Sequence, residues 1–135
     1  MSLETIGTGI KTRLQTISGL QVFAPNELPD TINHFPTALI LPGETRYNAH
    51  FGGDADYILR IIVLITKQDQ PSALNKLLDY IELTGTYSVK AAIDADTTLN
   101  GSADDCRVTR NLGIGTTDWG GVGYLSTEFE ILVWK

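Results

Sequence analysis

The sequence predicts an α+β domain: a mostly antiparallel sheet with helices packed on one face, in a single domain spanning residues 1–135. Three observations carry this expectation. The order along the chain is helix, strands, two short helices, strands. One run, residues 57–66 (YILRIIVLIT), is apolar on both alternating faces. The last run, residues 124–134, alternates cleanly between apolar and polar.

The 135 residues leave room for one core, and 42% hydrophobic with 19% charged residues is the composition of an ordinary globular chain. No apolar run reaches the ~18 residues of a membrane span, and the N-terminus lacks the basic and apolar regions of a signal peptide. The expectation is therefore no membrane association. One cysteine, Cys106, excludes an internal disulfide and a cysteine-based zinc site. The net charge of −6 is uneven: 5 basic and 6 acidic side chains up to residue 67, then 5 and 10. A chain of this balance, with no Lys/Arg cluster, is a poor grip for a phosphate backbone.

Taken in order, Leu3, Ile6, Ile10, Leu14 and Ile17 form one side of an amphipathic helix over residues 3–18, which Gly19 ends. Gly7 and Gly9 weaken it by about 1 kcal/mol each relative to alanine. Residues 20–36, with Pro25, Pro29 and Pro36, read as an irregular connection with a short extended piece at Val22-Phe23. Residues 37–41 (TALIL) are a buried strand ending at Pro42-Gly43. Residues 44–56 are a polar loop or a two-stranded arm. In residues 57–66, Tyr57, Leu59, Ile61, Val63 and Ile65 share one face. Ile58, Ile62 and Leu64 share the other, interrupted by Arg60. Such a strand is central and covered twice, or keeps one face for a partner.

Leu74, Leu77, Leu78 and Ile81 define the stripe of a second helix, with Pro71 at its first position and Gly85 just past its end. Leu78, mid-stripe, is expected in the core, and Asn75 off it. Ser88 caps a third helix carrying Val89, Ala92 and Ile93, and Asn100-Gly101 makes a tight turn. Residues 104–114 alternate, with Cys106, Val108, Leu112 and Ile114 inward. Residues 115–123 read as a glycine-rich loop. Leu125, Phe129, Ile131 and Val133 then face the core, with Ser126, Glu128 and Glu130 in water.

Nothing in the chain assembles a catalytic, cofactor-binding or metal site. His34 and His50 stand at no ligand spacing and fall in loops. Cys106 reads as a small core residue. Asp94, Asp96, Asp104 and Asp105 lack the glycine and terminal glutamate of a calcium loop. Gly113-Ile114-Gly115 lacks a third glycine and a following helix, and Gly120-Gly121-Val122-Gly123 lacks the Lys-Ser/Thr of a phosphate loop. Trp119, among glycines, either folds back onto the sheet or stands out as an anchor for a partner.

The segment Leu78-Asp79-Tyr80-Ile81, Gly85, Ser88-Val89, Ala92-Ile93, Asp96, Leu99, Gly101 and Asp105-Cys106 resembles the tail-terminator, or tail-completion, proteins of long-tailed bacteriophages and prophages. The opening helix followed by Pro36-Thr37-Ala38 is similar to the start of that family, and Gly123-Tyr124-Leu125, Glu128-Phe129 and Val133 to its closing strand. The resemblance implies an α+β virion protein, not an enzyme, that assembles in the host cytoplasm into a homo-oligomeric ring, typically a hexamer. The ring caps the tail tube protein, offers its other face to the head-side connector protein, and lets DNA pass without specific binding. No cofactor or metal is implied. The rival readings are another neck or head-closure connector, or a small enzyme with an unrecognised pocket. Candidate interface residues are Arg46, Tyr47, Phe51, Asp54 and Trp119. Residues 44–56 are expected to become ordered only against a neighbouring subunit or the tube end, and 115–123 to behave similarly but less strongly.

Overall fold

A computed structural model of the chain describes residues 2–47, 55–67, 74–99 and 101–134. Three helices, α1 (Ser2–Leu14), α2 (Leu74–Ile81) and α3 (Val89–Asp94), pack on one face of a five-stranded sheet. Its strands are β1 (Gln21–Phe23), β2 (Thr37–Tyr47), β3 (Ala55–Lys67), β4 (Asp105–Trp119) and β5 (Val122–Trp134). They lie in the order β1-β2-β3-β5-β4. Among the described residues only the β1–β2 pair is parallel. The fold is the α+β architecture that the order of elements implies.

Strand β3 is central, and both its faces are covered. Leu59, Ile61, Val63 and Ile65 meet Ile6, Ile10 and Leu14 of α1, Leu77 and Tyr80 of α2, and Val89 and Ile93 of α3 in the main core. Ile62 and Leu64 on the opposite face join Leu39, Tyr124 and Ile32 in a second, smaller cluster. Leu28, Phe35 and Trp119 pack against that cluster. The proline-rich connection after β1 is therefore more than a link, because it carries the apolar side chains that cover the second face of the sheet. Arg60, which interrupts that face in the sequence, sits where the cover ends and forms a two-point ion pair with Glu128, at 2.6 and 3.1 Å.

The glycines of α1 have a packing reason. A Cβ on Gly7 would stand 2.7 Å from the Pro25 ring, and one on Gly9 would stand 2.8 Å from both the Cβ and the carbonyl oxygen of Leu99. The helix gives up intrinsic propensity so that two other segments can approach its backbone. Ser88 caps α3, its hydroxyl accepting from the Ala91 amide at 3.1 Å, and Val89, Ala92 and Ile93 are buried. Cys106 is buried in the main core, and desolvation pushes its thiol up to about 12. It is held as an inert core thiol, since the reactive form is the thiolate.

Several sequence expectations are corrected. The first helix ends at Leu14, and turns carry Ile17 into the core. Strand β2 does not stop at Pro42-Gly43 but runs to Tyr47, with a bulge between Pro42 and Thr45. On α2, Leu77 and Tyr80 are buried, while Leu78 is 46% exposed. Helix α2 ends at Ile81, so Gly85, at φ +117°, serves the following loop rather than the helix terminus. Residues 115–123 are not a loop: they belong to a hairpin whose turn is Gly120-Gly121, both at positive φ, with Trp119 paired to Val122. Leu112 and Ile114 are exposed, because two irregularities in β4, at Val108/Arg110 and Asn111/Ile114, break the inward alternation. Ser126 is buried, its hydroxyl sharing a hydrogen bond of 2.6 Å with Thr117. Pro71, Phe51, Asp54, His50 and Asn100 lie outside the described residues, and no side-chain description extends to Asn75.

Candidate interaction surface

The sheet is longer than its core. Up to Leu41, β2 alternates between the two clusters, and up to Val108, β4 turns Cys106 and Val108 into the main cluster with Asp105 and Arg107 exposed. Beyond those points both strands become exposed. On β2, Pro42, Gly43, Glu44, Arg46 and Tyr47 are exposed, Tyr47 at 83%. Thr45, Arg46 and Tyr47 nevertheless pair in register with Tyr57, Asp56 and Ala55. The sequence-predicted polar loop therefore begins and ends as paired strand, and β3 pairs on to β5 at Asp56 and Tyr57; residues 48–54 between the strands lie outside the description.

Both edges of the sheet are open. Strand β1 covers β2 only at Thr37–Leu39, and among the described residues no strand pairs with β2 beyond that point or with the outer side of β4. Arg46 pairs with Glu44 at 3.1 Å, with both side chains 63% exposed. A pair so exposed contributes about 0–1 kcal/mol and is readily exchanged for another. Toward the opposite edge on the same face, Arg110 donates twice to Glu130, at 3.0 and 3.2 Å, and holds that carboxyl below its ordinary range, with Arg46 adding a smaller attraction. Arg107 lies over the Trp134 ring, 5.7 Å from its centroid.

Trp119 folds back. Its indole N–H donates to the Pro29 carbonyl at 2.8 Å, and its ring packs on the second cluster. Of the two readings of this residue, the first describes the chain. Arg46 and Tyr47 come together at the β2 edge, some strands away from Trp119. What sequence reasoning missed is β4, whose inward expectation for Leu112 and Ile114 hid an exposed edge. Counting Asn111-Leu112-Gly113 as a possible bulge would have found it, since Gly113 sits at φ +91° and its amide donates to Asn111 Oδ1.

The rest of the surface holds shallow depressions. One lies beside Gly19, Leu20, Gln21 and His34, at about 460 Å³. His34 is exposed, with Nε2 3.2 Å from the Gly19 carbonyl oxygen. Asp94 pairs with Lys90, and Asp96 accepts from the Thr98 amide and hydroxyl. Among the described residues no group of three His, Cys, Asp or Glu side chains converges to hold a metal ion, and no helix is long and apolar enough to cross a membrane. No protein-family model matches the chain, and no curated protein matches it.

Proposed function

We propose that this protein is a structural assembly protein that works as a homo-oligomeric ring, and that its role is that of a bacteriophage tail terminator: closing the tail tube and presenting a face to the head-side connector. The observation that carries the reading is the open edge of the sheet on both sides, on β2 past Leu39 and along β4, among the described residues. Among the described residues no strand pairs with the outer side of Glu44–Tyr47 or of β4, and backbone edges of this kind are templates for pairing with another chain. The resemblance described above supplies the particular role, and its quoted residues recur as structural parts: Ser88 as a cap, Leu99 against Gly9, and Cys106 in the core. The acidic balance suits a passage through which DNA must slide without sticking.

The test is electron microscopy of phage particles assembled without this chain. Overlong or headless tails are expected, with normal joined particles restored when the chain is supplied. Tails of normal length that fail to join heads would instead indicate a neck or head-closure connector. Normal particles would contradict the assembly role altogether.

A further inference from the structure

The two open edges of the sheet match each other in polarity and in charge. Strands β2 and β3, β3 and β5, and β5 and β4 are each antiparallel, so β2 and β4 run in opposite directions at opposite edges. When a second copy is placed beside the first in the same orientation, its β2 therefore meets β4 antiparallel.

The register across the sheet then fixes which side chains face each other. Arg46 is level with Asp56, Asp56 with Trp134, and Trp134 with Asp105. The bulge residue Glu44 lies opposite Ile58, which is level with Leu132, which is level with Arg107. Glu44 and Arg46 are exposed and two residues apart, so they point to one side of the sheet. Asp105 and Arg107, flanking the buried Cys106, do the same and lie on the side away from the main core. Continuing the rows from one copy to the next thus sets Arg46 against Asp105 and Glu44 against Arg107. Both contacts join opposite charges. Opposite charges directly across an antiparallel pair are favourable and like charges are not.

We infer that copies of this chain associate head to tail by antiparallel pairing of β2 around Glu44–Tyr47 with β4 around Asp105–Val108 of the neighbouring copy. The exposed Glu44–Arg46 pair within one chain exchanges for two pairs between chains. Pairing is confined to this end of β4, since the first irregularity of β4 follows Val108 and β1 already occupies the edge of β2 at Thr37–Leu39. A head-to-tail contact of this kind uses two different surfaces, so it closes into a ring or propagates and does not stop at a dimer. It deepens the ring reading by naming the surface that would close the ring, and rests on that reading for its biological purpose only.

The test is sedimentation of the full chain, comparing the natural sequence with Arg46→Glu, Asp105→Arg, their equimolar mixture, and the double variant. Each single reversal places like charges across every contact and should weaken assembly about tenfold per contact. The mixture should assemble again, because each variant's edges are complementary to the other's, and the double variant should assemble with itself. Unchanged assembly in both single variants, or a mixture as dissociated as its components, would overturn the pairing while leaving an oligomer of another geometry. Sensitivity to Asp105→Arg alone would point instead to β4 pairing with its own symmetry copy, and would also overturn it. A natural chain that is monomeric at its highest working concentration would overturn both this pairing and the ring reading.

Discussion

Leu77→Ala should lower the stability of the domain by about 2–5 kcal/mol, the usual range for truncating a fully buried leucine. Leu78→Ala should change it by no more than about 0.5 kcal/mol, as expected of a surface position. The two residues are adjacent on one helix and chemically identical, so the contrast isolates burial. Leu77 is 0% exposed within the main core, and Leu78 is 46% exposed. Urea titration would show the difference as a shifted midpoint at constant slope. Equal shifts for the two variants would mean that α2 is rotated relative to the sheet from the orientation described.

The same pair shows what was legible in α2 and what was not. The stripe through Leu74, Leu77, Leu78 and Ile81 counts every leucine as a core residue. Consecutive residues on a helix stand about 100° apart, so Leu77 and Leu78 cannot both sit at the centre of one face. The choice falls to Tyr80, which shares the face of Leu77 and is 4% exposed. A tyrosine ring buries as readily as a leucine's side chain when the hydroxyl end is accommodated, so a stripe of aliphatic residues alone passes over Tyr80. Burial raises the Tyr80 hydroxyl to about 12, with the neighbouring Tyr87 adding to the effect.

Trp119→Ala should cost about 3 kcal/mol, near the low end for loss of a large aromatic side chain because the ring is only half-buried. The indole closes the far face of the sheet: its ring covers the cluster of Ile62, Leu64 and Tyr124, and its N–H ties the hairpin to the Pro29 carbonyl. Trp119→Phe should keep most of the cover and lose the hydrogen bond, costing about 1 kcal/mol. Thermal unfolding of the two variants would check both values. A Trp119→Ala protein as stable as the natural chain would show that the connection after β1 holds the second face without it.

The alternating and buried strands were readable because packing on both faces leaves a direct mark on sequence. Residues 57–66 carry that mark in full. The misread strands share one cause: local breakers inside strands that continue. Pro42 is tolerated in β2 because that strand is paired on one side only beyond Leu39. Gly43 follows because a Cβ there would stand 2.6 Å from the Ile58 carbonyl oxygen. Gly120-Gly121 mark a two-residue turn, not a long loop, and the strands run right up to it. The candidate surface was half legible. Arg46 and Tyr47 were found as exposed polar-rich chain, but Asp105 and Arg107 were not. Their significance appears only when the registers of four strands are read across the sheet.

The central claim is that this chain is built to assemble with itself. Its most direct test is the mass of the purified full chain under mild buffer conditions, measured by native mass spectrometry and checked by electron microscopy. A discrete multiple of the 14.7 kDa subunit is expected, seen as closed rings that dissociate as salt is raised and the edge charges are screened. A monomer throughout, with no larger species as concentration rises, would contradict it.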